Sequence, residues 1–133
     1  AWAVAHVTEL EIDSMNILNA SIEAMHRAIL KLNPTPEFIA VDGNRFKPLG
    51  QIPFQCVIKG DGKYQNIAAA SVLAKTERDR YMKQLHLEYP KYDWRQNKGY
   101  PTAKHRAAIA EFGDTPHHRK TFKLLPNQLR LNL

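Results

Sequence analysis

Two aspartates stand out by type and setting. Asp42 in "FIAVDGN" and Asp61 in "CVIKGDGK" each end an apolar run, and each is followed by glycine. A strand held in a sheet can carry such a carboxylate rigidly to its rim. Carboxylates at neighbouring strand ends repel one another unless a hard cation sits between them. Two or more carboxylates holding two Mg²⁺ or Mn²⁺ ions would activate water and stabilise a phosphodiester leaving group. Asp-Gly is also a common turn signal. For either aspartate alone the turn is the simpler reading. The pair, in a chain with a basic C-terminal portion, favours a metal.

A second candidate is "NKGYPT", Asn97 to Thr102. A tyrosine beside glycine, proline and lysine makes an exposed, rigid ring. Tyr100 could stack on a sugar or base while Lys98 meets a phosphate. The alternative is a loop tyrosine packed over the edge of the domain. Other clusters carry less. Glu77 and Asp79 in "KTERDR" lie two apart on a helix and face different ways, so surface ion pairing is expected. His117-His118 lacks partner spacing for a metal. No Gly-rich phosphate loop, CxxC pair or Ser/His/Asp order is present.

Charge location supports a polyanionic partner. The chain has 133 residues and a net charge of +6. Residues 94–133 hold Arg95, Lys98, Lys104, Arg106, Arg119, Lys120, Lys123 and Arg130 against Glu111 and Asp114, and the rest of the chain is balanced. A basic segment on a neutral body suits nucleic acid, and equally a solvated basic tail.

The elements that must position these residues follow from pattern. "AWAVAHV" reads as a buried strand. Residues 8–32 read as one helix: Thr8 and Glu11 have capping-box spacing, and Met15, Leu18, Ile22, Met25, Ile29 and Leu32 share a face. "NPTP" stops it. "EFIAVDG" is a strand, "NRFKPLG" a loop, and "IPFQCVIKGDGK" a second strand ending on Asp61. Residues 66–89 form a long helix whose Ala68, Ala69, Ala70, Ser71 and Ala74 would let it lie close to a sheet. Residues 90–101 read as a loop. "TAKHRAAIAEFG" is a helix capped by Thr102 and stopped by Gly113. Residues 114–133 carry a short helix or run irregular. The order is that of a mixed α/β layout.

Bulk properties exclude several classes. A hydrophobic share of 44% and a charged share of 24% suit a globular protein. No apolar run approaches the roughly 20 residues of a membrane span, and the opening segment is too short and lacks the basic leader of a signal peptide. Cys56 is the single cysteine, so no internal disulfide forms. It reads as a small core residue. A cytoplasmic location is the expectation. The length fits one domain.

The motifs together resemble bacterial ribonuclease HII. They are "VDGN" at 41–44, "KGDGK" at 59–63, "IAAASVLAKTERDRYM" at 67–82, "EYPKY" at 88–92, "NKGYPTAKH" at 97–105 and "TPHHRKTF" at 115–122, in order, with "NILNAS" and "AMHRA" near the start. The resemblance implies an α/β, ribonuclease H-like mixed sheet flanked by helices. It implies one partial catalytic domain over residues 1–133, with a basic helical region at 94–133. It implies cleavage of the RNA strand of RNA–DNA hybrids, and cleavage 5′ of a lone ribonucleotide in duplex DNA. The cofactors would be Mg²⁺ or Mn²⁺ held by four carboxylates, with Asp42 and Asp61 as the third and fourth. Tyr100 falls on the tyrosine that stacks near the ribose–deoxyribose junction and senses the 2′-hydroxyl. Lys63, Ser71, Lys75, Lys98 and Arg119 lie in the matching motifs and are candidates to contact phosphate or support the site.

One departure is large. The family's opening strand, with its Asp-Glu-Ala-Gly-Arg-Gly motif and first two carboxylates, has no counterpart here. The chain therefore reads as truncated at its N-terminus, and two rival readings stand beside the enzyme. One is a non-catalytic module that grips duplex nucleic acid. The other is a fragment whose unpaired sheet edge invites association between chains, where the full enzyme would be a monomer.

Overall fold

The computed structural model describes residues 1–120. Expectations for residues 121–133 lie outside the described residues. The chain forms two compact units: Ala1–Val7 with Met15–Lys75, and Thr8–Ser14 with the described residues from Thr76 onward.

In the first unit, residues 1–7 are not the expected buried strand. They run irregularly with Trp2 65% exposed. The carbonyl of Val4 accepts from Lys31 Nζ at 2.9 Å and that of His6 from Arg27 Nη1 at 3.3 Å. An apolar run becomes a strand only where a neighbouring edge offers backbone groups. Here side chains of the following helix satisfy those carbonyls instead.

The single helix expected over 8–32 is two, α1 (Glu9–Met15) and α2 (Ile17–Leu30). Asn16 interrupts it at φ 71° and ψ 167°, outside any helical conformation, and its Oδ1 accepts from the N–H of Asn19 at 3.0 Å. The capping box at α1 forms as expected. Thr8 N–H donates to Glu11 Oε2 at 2.8 Å, and Glu11 N–H donates to Thr8 Oγ1 at 3.3 Å.

Strands β1 (Ile39–Asp42) and β2 (Phe54–Val57) pair in parallel, with Val41 opposite Cys56 and Asp42 opposite Val57. Among the described residues this is the whole sheet, so the mixed sheet expected from the sequence is a two-stranded parallel one. Ile39 and Val41 point inward and Ala40 and Asp42 outward, the period-two alternation of a strand. Cys56 is half-buried. Helix α3 (Gln65–Glu88) begins where expected and buries Ile67, but Ala69, Ala70, Ser71 and Ala74 are exposed. A two-stranded sheet is too narrow to cover that face.

The second unit is built on Met82, Leu85, Tyr92, Trp94, Ala108 and Ile109, with Tyr89 against them. The expected loop at 90–101 contains a 3-10 turn at Pro90–Tyr92 and a short helix, α4 (Trp94–Asn97). Tyr92 stacks on Trp94 at 5.3 Å, and buried His105 and His118 stack on each other at 5.3 Å. Helix α5 (Ala103–Phe112) starts at Thr102, whose Oγ1 accepts from the His105 N–H at 3.2 Å, and ends at Gly113. After it the described chain makes turns as far as residue 120.

Candidate active site

Asp42 is the last residue of β1 and is exposed. The chain turns away at once because Gly43 takes φ 104°, and its N–H donates to the Val57 carbonyl at 2.9 Å. Asp61 does not end β2 as the sequence suggests. The strand stops at Val57, Lys59 takes the left-handed φ of 54°, and Asp61 sits in a 3-10 turn at Gly60–Gly62. The left-handed Lys59 lifts the chain off the strand before the aspartate is reached.

That turn brings the two aspartates to one rim. The Gly60 N–H donates to Asp42 Oδ1 at 2.9 Å, so the Asp42 carboxylate is anchored one residue from Asp61. Gly60 is required by space. A Cβ there would lie 2.8 Å from Ile67 Cδ1 and 3.3 Å from Val57 Cβ. Asp61 Oδ1 accepts from the following Gly62 N–H at 3.0 Å. The second oxygen of each carboxylate has no protein partner among the described residues and is available to a cation. Two carboxylates suit a hydrated Mg²⁺ or Mn²⁺ ion that draws its other ligands from water and phosphate. Among the described residues no cluster of three or more His, Cys, Asp or Glu side chains forms a larger cage.

The remaining expected site residues divide between the units. Lys63 follows the 3-10 turn and is exposed, two residues from Asp61. Ser71 and Lys75 lie four apart on α3, both exposed and on one face. Lys98, Tyr100 and Arg119 belong to the second unit. Arg119 is half-buried in the turns after α5. Tyr100 is 71% exposed, so it is not packed over a domain edge. In "KTERDR" the ion pair expected of Asp79 falls instead on Glu77, with Arg80 at 2.5 Å.

The loop bearing Tyr100 is a tight turn. Lys98 and Gly99 have φ 53° and 88°, and the Tyr100 N–H donates to the Asn97 carbonyl at 2.8 Å, the pattern of a type I′ turn. A lysine in left-handed geometry stores on the order of 1–2 kcal/mol. Buried Asn97 holds the turn from inside: its Nδ2 donates to the Tyr92 carbonyl at 2.7 Å, and its Oδ1 accepts from the Gly99 N–H at 2.8 Å. The same Tyr92 carbonyl accepts from His105 Nδ1 at 3.1 Å, which places the His105 proton on that nitrogen.

His118 lies in this scaffold, 5% exposed. The Thr115 N–H donates to its Nδ1 at 2.9 Å, so the neutral ring carries its proton on Nε2, which is buried with no partner among the described residues. Desolvation, then neighbouring His105, outweighs the pull of Asp114 and lowers its pKa from 6.5 to about 4. His118 is thus held neutral and packs against Tyr92, Trp94 and His105. His117 instead faces Glu9 at 3.9 Å. A cleft of about 340 Å³ in this unit, between Tyr89, Lys91, Phe112 and Pro116, holds none of the expected site residues.

Gly60 and Asn97 are the positioning groups that sequence reasoning missed. The flanking glycine in "KGDGK" was the one available signal. Asn97 acts on backbone groups two and five residues away, which leaves no pattern of residue types.

A parallel strand pair bearing an aspartate at its rim, followed by a long helix, is an α/β arrangement, and comparison with known proteins specifies its family. The family model for ribonuclease HII matches residues 2–125. Over 131 residues the chain is 61% identical to the ribonuclease HII of Christiangramia forsetii, covering 98% of this chain and 66% of that protein. It is 62% identical to that of Bacteroides thetaiotaomicron over 133 residues, again 66% of the relative's length. The crystal structure of ribonuclease H2 from Pyrococcus horikoshii OT3 superposes with a TM-score of 0.67 at 26% identity, covering 85% of this chain and 61% of that one. The chain belongs to the ribonuclease HII family, with the α/β ribonuclease H-like fold, and spans about 66% of the length of the curated relatives it matches. Among the described residues no helix is long and apolar enough to cross a membrane.

Proposed function

We propose that the protein bearing this chain is a cytoplasmic endonuclease that hydrolyses the RNA strand of RNA–DNA hybrids and cuts 5′ of single ribonucleotides embedded in duplex DNA. The observation that carries this reading is the rim where Gly60 anchors Asp42 beside Asp61, in a chain of the ribonuclease HII family. Asp42 and Asp61 would hold Mg²⁺ or Mn²⁺. When bound, such ions supply the charge that makes water nucleophilic and eases departure of the 3′-oxygen in a two-ion phosphodiester hydrolysis. The chain's own residues do the rest. The Gly60 N–H fixes the orientation of the Asp42 carboxylate. Lys63, Lys75, Lys98 and Arg119 meet phosphates, with Ser71 donating from α3. Tyr100 stacks on the sugar at the ribose–deoxyribose junction. The test is Asp42→Asn in the complete gene product. It keeps an acceptor for the Gly60 N–H, and it should abolish cleavage while sparing hybrid binding. Near-normal turnover refutes the assignment.

A second reading rests on the segregated charge. The excess of basic residues over 94–133 would let the chain bind a duplex without cutting it. Residues 1–133, purified alone and given a duplex with one ribonucleotide and Mn²⁺, decide between them. A single cut lost in Asp61→Asn supports the enzyme. Binding that weakens steeply with salt, with no cut, supports the binding module.

A further inference from the structure

The turn presenting Tyr100 is strained, exposed and held from outside by one side chain that no motif reading assigns. Arg78, on the stretch of α3 in the second unit, donates from Nη2 to the Lys98 carbonyl at 3.2 Å. Lys98 is the non-glycine residue at φ 53° in the type I′ turn. Gly99 leaves the guanidinium its room: a Cβ there would lie 3.2 Å from Arg78 Nη2 and 3.5 Å from Met82 Cε. On the far side, the Thr102 N–H donates to the Tyr100 carbonyl at 2.8 Å. The Tyr100 backbone is therefore held from both sides while its ring is 71% exposed. Strained backbone persists where surroundings over-determine it, and an observed outlier at a candidate site points to use.

We propose that Arg78 is a positioning residue. By holding the Lys98 carbonyl it locks the turn that aims Tyr100 at the sugar of its substrate. This rests on the reading of Tyr100 under Proposed function. Losing the lock would leave the fold standing and the ring mobile. The loss would fall on recognition of the ribose–deoxyribose junction and spare general hybrid binding.

The test compares kcat/KM on a duplex with one ribonucleotide with kcat/KM on a uniform RNA–DNA hybrid, using the complete gene product. Arg78→Met should lower the ratio about 10-fold, below the roughly 10²-fold that a 1 Å misplacement can cost. Arg78→Lys, which keeps a donor, should recover part of it. Tyr100→Ala should lower the ratio as far or further, and Arg78→Met/Tyr100→Ala should match Tyr100→Ala alone. Equal loss on both substrates, an unchanged ratio, or additive effects in the double variant overturns the assignment. If Arg78→Met does not fold, Arg78→Gln, which loses the charge and much of the reach, carries the same comparison: a lowered ratio that adds nothing to Tyr100→Ala supports the lock, and an unchanged ratio or additivity with Tyr100→Ala overturns it. A wild type that cuts neither substrate, or a Tyr100→Ala ratio equal to wild type, overturns the functional reading itself, and the role of Arg78 falls with it.

Discussion

Gly60→Ala tests the anchor of the aspartate rim most directly. The backbone at Gly60 is not left-handed, so alanine meets no conformational penalty there. Stiffening the unfolded chain would favour alanine by about 0.4–1 kcal/mol. Against this, the new Cβ would sit 2.8 Å from Ile67 Cδ1 and 3.3 Å from Val57 Cβ. Ile67 Cδ1 is the end of a side chain and can rotate away. Val57 Cβ is fixed to a strand, so the turn itself must shift. Overpacking of this kind costs about 1–3 kcal/mol, and a net loss of about 1–2 kcal/mol is expected. The shift also draws the Gly60 N–H from Asp42 Oδ1, now at 2.9 Å, so Mn²⁺ affinity should fall with stability. Chemical denaturation and calorimetric titration with Mn²⁺ measure the two. Ile67→Val removes the clashing Cδ1, so Gly60→Ala/Ile67→Val should lose less than the sum of the single variants. Wild-type stability and Mn²⁺ affinity in Gly60→Ala, or strict additivity in the pair, refutes the reasoning.

Further predictions concern the second unit. His118 has a folded pKa of about 4 against its ordinary 6.5, so the unfolded chain takes up the proton first. Its contribution is present above pH 6.5 and is lost as the pH falls from 6.5 to about 4. At ~1.4 kcal/mol per pKa unit the loss is on the order of 3 kcal/mol. Unfolding followed from pH 7 to 4 should show it, and His118→Asn, which keeps an acceptor for the Thr115 N–H, should flatten the curve; an equally steep decline in that variant would count against it. Thr102→Ala removes the oxygen that accepts from the His105 N–H and should lower stability by about 1 kcal/mol. Thr102→Ser should stay close to wild type in thermal unfolding, and a serine variant as unstable as alanine would show that the cap is not the cause.

What the sequence by itself determined is local. The capping box of Thr8 and Glu11, the cap at Thr102, the stop at Gly113 and the start of α3 all formed as read, because each depends on residues within a turn or two of one another. The glycine-bounded aspartates stood out in the same local way, but only Asp42 ends a strand. Asn16 was the local exception: its side chain competes with the helix backbone, and a periodic apolar face hides that.

Tertiary structure decided the rest. Whether "AWAVAHV" becomes a strand depends on an available edge, and Lys31 and Arg27 satisfy its carbonyls instead. Whether the small-residue face of α3 is buried depends on sheet width, and two strands leave it exposed. The placing of Asp61 in a turn, with Asp42 fixed by a backbone N–H 18 residues away, comes from the parallel pairing that puts Asp42 opposite Val57. The hold of Arg78 on Lys98, 20 residues apart, arises in the same way. Hydrogen bonds across such separations answer to the packing of whole elements, and no local residue pattern records them.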